Sequence, residues 1–148
     1  MTTVAVFIIL AAIAGTIHYI TYKMSLAINL GHVFFISFII NSANGMSGEV
    51  LFIFLAGILP EILSGYVDQK TLLNYPLMIA VIFLFGNIFS LPLVLSGLLA
   101  SFLYYAILYM ISTFSAEAIH EKTLEVILPF FLNILYFTSL SGIIEKLL

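Results

Sequence analysis

The stretch from Gly48 to Gly65 reads GEVLFIFLAGILPEILSG, an apolar segment that carries a glutamate, a proline and an internal glycine at membrane depth. A carboxylate at the centre of a membrane helix costs about 2.5–3.5 kcal/mol on insertion scales, so Glu61 is expected to face protein or one interface. Gly57, Glu61 and Gly65 recur every four residues, and that spacing puts all three on one helix face. Pro60 removes a backbone hydrogen bond, which a membrane helix tolerates when neighbours satisfy the freed carbonyl. The face is therefore expected to meet other helices. Asn133 of the last helix, or a backbone group opened by Pro60, is the expected partner of Glu61.

Composition extends this reading to the whole chain. Of 148 residues, 64% are hydrophobic and 7% are charged, against about a quarter charged in soluble domains. This predicts an all-α integral membrane protein, a single domain over 1–148. A spanning helix takes about 20 residues, which leaves room for six helices, or five if helix 2 is re-entrant. Without cysteine there is no disulfide, thiolate metal site or cysteine nucleophile. The four basic residues are all lysine, so there is neither a basic patch for nucleic acid nor an arginine clamp for phosphate.

The helices are expected at about 3–22, 30–41, 49–64, 75–90, 92–114 and 124–144. The first is read as a retained helix, although Ala12-Ile13-Ala14-Gly15 has the small-residue look of a cleavage site. Ala11 and Gly15 on it form a small-xxx-small pair that admits a close neighbour, either within the chain or as a docking face for a partner subunit. His18, one turn beyond Ala14, reads as an interfacial or packing residue. Helix 2 is too short to span upright, so it is tilted, re-entrant or shielded by its neighbours. Asn41, Ser42, Ala43, Asn44, Gly45, Met46, Ser47 and Gly48 form a turn signal, which predicts an antiparallel hairpin of helices 2 and 3. Glu49 in the first turn of helix 3 suits the helix dipole.

The polar loop Tyr66–Thr71 precedes helix 4, whose start is marked by Tyr75-Pro76, and Gly86-Asn87 within it predicts a buried polar contact. Helix 5 carries the small stripe Ser96, Gly97, Ala100, Ser101, then Tyr104, Tyr105 and Tyr109. The hydrophilic segment Ser115–Thr123, with Glu117, His120 and Glu121 ahead of Glu125, reads as a solvated interfacial helix. Helix 6 is softly broken by Pro129 and carries Asn133. Lys23, Lys70 and Lys122 fall on one side of a six-helix bundle and Lys146 on the other, which places the odd-to-even loops in the cytoplasm.

The order of these features resembles the MreD family of rod shape-determining proteins. The resemblance rests on the glycine-acidic-glycine helix Gly57-Ile58-Leu59-Pro60-Glu61-Ile62-Leu63-Ser64-Gly65, on the polar loop leading to the helix from Tyr75, and on Pro129-Phe130-Phe131-Leu132-Asn133. Here glutamate stands where the family usually has aspartate, and the loop arginines are missing. The resemblance implies a non-enzymatic scaffold without cofactor or metal, lodged in the cytoplasmic membrane. It would bind other integral membrane proteins during peptidoglycan elongation. The architecture is also similar to the substrate-binding subunits of energy-coupling-factor transporters. That likeness implies a vitamin or metal-ion site near Asn41, Asn44, Glu49, Tyr66 and Asp68, and a coupling subunit docked on Ala11 and Gly15.

Overall fold

A computed structural model describes residues 3–24, 29–65, 67, 69–114 and 123–147. Every regular element among them is helical. They are α1 (Thr3–Lys23), α2 (His32–Ile53) running through a π-helical turn (Phe54–Ile58) into α3 (Leu59–Ser64), and α4 (Gln69–Phe83) closing in a second π-helical turn (Leu84–Ile88). Then come α5 (Leu93–Phe114), a third π-helical turn (Thr123–Ile127) leading into α6 (Leu128–Ser139), and α7 (Ser141–Leu147). Tyr66, Asp68, Glu117, His120 and Glu121 lie outside the described residues.

Among the described residues, three stretches are long and apolar enough to cross a membrane: Val4–Lys23, His32–Ser64 and Leu93–Phe114. A fourth exists if Leu124–Ser139 and Ser141–Leu147, bent by 63°, count as one. The surface fits such an environment. On α1, Val4, Ile8, Ile9, Ile13, Ile17 and Ile20 are exposed, whereas Val6, Ala11, Ala14 and Gly15 are buried. Large apolar groups outside and small ones inside is the arrangement expected where lipid supplies no hydrophobic drive and close backbone approach decides packing.

The second stretch is not one rod. Its 33 residues would measure about 50 Å as a straight helix, well beyond a hydrocarbon core of about 30 Å. It is interrupted at Gly45, whose φ of 73° and ψ of −175° are non-helical. A methyl group on Gly48 would stand 3.3 Å from Ile40 Cγ2, although eight residues of straight helix separate their Cα atoms by about 12 Å. The chain therefore doubles back at Gly45. His32 contacts Ala14 and His18, and His18 contacts Glu61, so the outer ends of both legs lie together. The polar run from Asn41 to Gly48 is otherwise helical; one glycine makes the reversal, and the residues on either side of it are helix and not loop.

The leg that starts at His32 is the buried strut of the molecule. Phe34, Phe38, Ile39 and Ile40 are essentially without exposure. Phe34 stacks on Tyr104 at 4.9 Å, and Phe137 meets Phe35 and Phe38 edge-on at 5.0 and 5.4 Å. The Phe137 ring lies in the notch left by Gly97, where any Cβ would overlap it. The short helix 2 is thus shielded by its neighbours, and the small stripe on α5 is what lets α6 approach.

Three of the four prolines follow π-helical turns. Pro60 and Pro129 come two residues after such a turn and Pro92 four residues after one. Proline lacks an N–H and its ring crowds the carbonyl four residues back. Widening the preceding turn relieves both at Pro60 and Pro129, as where Leu59 N donates to Phe54 O, five residues back; Pro92 stands outside the helix, beyond the extended Phe89. Two boundaries differ from expectation. Helix 4 begins at Gln69, not Tyr75, and holds Pro76 in its interior; Gln69, Lys70, Leu72 and Leu73 are good helix formers and extend it backwards. Helix 6 breaks at Leu140, beyond Pro129. There Ser141 Oγ donates to Phe137 O at 2.6 Å, a back-bond of the kind that bends helices.

Candidate functional site

Two small-residue faces meet and bring three polar side chains together. Gly15 of α1 lies against the kink before Pro60: a Cβ there would stand 3.1 Å from Leu55 O, 3.5 Å from Ala56 Cα and 3.5 Å from Pro60 Cγ. Gly15 is thus covered by the chain's own return leg, and Ala11, one turn before it, is buried as well. One turn further on, the same contact line brings His18 to Glu61. Gly57 then makes room for the Tyr75 ring, whose Cε1 would be 2.5 Å from a Cβ at that position.

The result is a clasp of three helices. Tyr75 Oη donates to Glu61 Oε1 at 2.7 Å, and His18 Nε2 lies 3.0 Å from the same oxygen and 3.1 Å from Tyr75 Oη. With its hydrogen on Nε2, His18 supplies a second donor to one carboxylate oxygen. Glu61 is 3% exposed, and the convergence of two donors is what allows a carboxylate to sit there. Beside the clasp, His32 Nε2 donates to Ala14 O at 3.1 Å, and its ring centroid is 6.0 Å from that of His18. Among the described residues no group of three or more His, Cys, Asp or Glu side chains is placed to hold a metal ion.

The expected partner of Glu61 is corrected by this geometry. Asn133 of α6 donates instead to Gly31 O at 3.2 Å, Tyr105 Oη at 3.2 Å and Pro129 O at 2.8 Å. It thereby adds a second donor to the carbonyl of Gly31, which accepts from Phe35 N at 3.2 Å and caps α2 in the left-handed region at φ 66°. Gly65 is corrected as well: α3 has ended, Gly65 is its left-handed cap at φ 80°, and its side-chain position faces open space. Only Gly57 and Glu61 of that trio meet protein.

A second tie lies near the hairpin tip. Asn41 Nδ2 donates to Ile82 O at 3.4 Å, and Asn87 Nδ2 donates to Asn41 Oδ1 at 3.2 Å. Asn41 is the buried member of this pair and Asn87 is exposed. Asn44 is exposed, and Glu49 is fully buried. These residues sit at the turn end of the hairpin, whereas Gly65 follows Glu61 at the other end. Sequence reasoning reads His18 as an interfacial or packing residue, which Glu61 engages here, and it misses Tyr75 as a partner of Glu61. The available signal was the stripe Ala11, Ala14/Gly15, His18 on α1, which matches Gly57 and Glu61 once the two small faces are set together.

No family model matches the chain, and neither a curated protein nor a solved structure matches it significantly.

Proposed function

We propose that the chain is a non-enzymatic membrane scaffold similar to the MreD family, which holds other integral membrane proteins in a peptidoglycan-elongation assembly. In this reading it forms six membrane-embedded legs, the Gly45 hairpin supplying two, and carries no cofactor. The observation that supports it is the clasp. The acidic residue of the glycine-acidic-glycine helix is tied by side chains of two other helices, which suits a group that fixes the relative placement of helices more than one that stays open to a solute. The exposed apolar sides of α1 and α5 are then available to lipid and to neighbouring membrane proteins.

The test is a gentle-detergent pull-down of the tagged full chain from its native membrane, with mass spectrometry of co-purifying proteins and small molecules. Recovery of cell-wall elongation proteins is expected. Recovery of a coupling subunit with paired ATPases, or of a bound vitamin, overturns the scaffold reading in favour of a solute-binding subunit.

A further inference from the structure

The second acidic residue of the helical hairpin is held very differently from Glu61. Glu49 has no exposed surface, and neither of its carboxylate oxygens has a hydrogen-bond partner. The elements packed against α2, both legs taken together, carry His18, Tyr19, Tyr22 and Lys23 on α1, Tyr75 on α4, Tyr104, Tyr105 and Tyr109 on α5, Tyr136 on α6, and Glu145 with Lys146 on α7. None of them forms an ion pair or hydrogen bond with Glu49.

An ionised carboxylate in such a place carries its full desolvation cost with nothing to offset it, and the way out is neutralisation. The nearest water is close. Glu49 lies four residues past Gly45, about 6 Å along the helix, and the hairpin tip around it is open: Ser42, Ala43, Asn44, Met46 and Ser47 are exposed. Within the same buried face, Ile53 and Gly57 separate Glu49 from Glu61, so the two acids do not share a proton.

We propose that Glu49 is a proton-binding site, carrying its carboxyl as the neutral acid inside the folded bundle and exchanging that proton with water at the hairpin tip. Glu61 is stabilised by donors from its neighbours; Glu49 is stabilised by a proton of its own. The site goes beyond the scaffold reading and does not depend on it, since the pull-down leaves the protonation state of Glu49 untouched.

Infrared difference spectroscopy of the full chain in lipid nanodiscs at neutral pH, wild type minus Glu49→Gln, tests it. The expected result is loss of one carbonyl-stretch band of a protonated carboxylic acid, which shifts in heavy water, while Glu61→Gln leaves that band in place. Loss of an ionised carboxylate band instead means that Glu49 is charged and balanced by a bound cation, and overturns the proposal. A measurement on the wild type covers the case in which the variant fails to fold. Dicyclohexylcarbodiimide adds the acid O–H across one of its C=N bonds, and the acyl group then migrates to nitrogen, giving a stable N-acylurea with no atom lost. One adduct on the peptide containing Glu49, diminishing as pH rises, is expected. Labelling of Glu61 alone, or of neither glutamate, overturns the proposal.

Discussion

Replacing Gly57 by alanine sets two effects of opposite sign against each other. In an exposed helix the change is favourable by about 1 kcal/mol, because glycine is the poorer helix former. Here the new methyl group would stand 2.5 Å from Tyr75 Cε1 and 2.8 Å from Cζ and Oη. The ring must retreat by about 1 Å to restore ordinary carbon contact. That movement lengthens the Tyr75 Oη to Glu61 Oε1 bond from 2.7 Å to a separation that no longer counts as a hydrogen bond. Overpacking costs about 1–3 kcal/mol, and a side-chain hydrogen bond between membrane helices averages about 0.6 and reaches about 1.7 kcal/mol. The clash wins, with a net loss of about 2 kcal/mol. The assay is unfolding of the purified chain in mixed micelles of rising sodium dodecyl sulfate content, followed by near-ultraviolet circular dichroism of its eight tyrosines. Tyr75→Phe keeps the ring and removes the hydroxyl, so Gly57→Ala should cost about 1 kcal/mol less in that background, the share of the hydrogen bond. A Gly57→Ala protein as stable as the wild type, or one equally damaged in both backgrounds, refutes the reasoning.

Glu61→Gln keeps an oxygen for the two donors and is expected to cost under about 1.5 kcal/mol, whereas Glu61→Leu leaves His18 and Tyr75 only each other, so that one donor loses its acceptor at about 1–3 kcal/mol and the buried carboxylate's packing is replaced; the same unfolding assay separates them, and equal losses would contradict the clasp. Gly45 and Gly65 both have open space at their side-chain positions but differ in backbone. Gly45→Ala, at φ 73° and ψ −175°, enters a region that is nearly exclusive to glycine and should lose about 1–3 kcal/mol. Gly65→Asn, at φ 80° and ψ 15°, should lose less than about 1 kcal/mol, since asparagine tolerates the left-handed cap; the reverse ranking would show that the chain does not reverse at Gly45. Gly31→Ala combines a left-handed φ with contact to Pro129 O at 3.0 Å, so its loss in the unfolding assay should exceed that of Gly65→Asn.

Much of the architecture is written in single-helix patterns. The apolar runs, the glycine of the hairpin turn, the small stripe at Ser96 to Ser101 and the buried placement of Glu61 all follow from local composition and spacing, because each expresses a cost borne by one segment alone. The helix ends resisted the same treatment. Pro76 reads as a helix start, yet Gln69, Lys70, Leu72 and Leu73 before it are good helix formers, and the helix runs through Pro76 from Gln69. The bend after Ser139 comes from a hydroxyl competing for a backbone carbonyl, a signal shared by many serines that leave their helices straight.

The partners of Glu61 were illegible for a different reason. Which groups meet a buried carboxylate depends on the rotation and offset of two helices about each other, and no periodicity within either helix fixes those. Spacing places Glu61 one turn after Gly57 and His18 one turn after Ala14, but only the seating of Gly15 against Leu55 and Pro60 puts the two turns at one level. Asn133 looked equally eligible in sequence, being the amide of the last helix. The structure commits it instead to Pro129 O, Gly31 O and Tyr105 Oη, where it ties the start of α2 to α5 and α6. Glu49 follows from the same argument taken one step further. Among the described residues, every other long polar side chain in the buried core is engaged by a neighbouring helix at least in part, and this one is not, so in the proposal above the missing compensation is carried on the carboxyl itself.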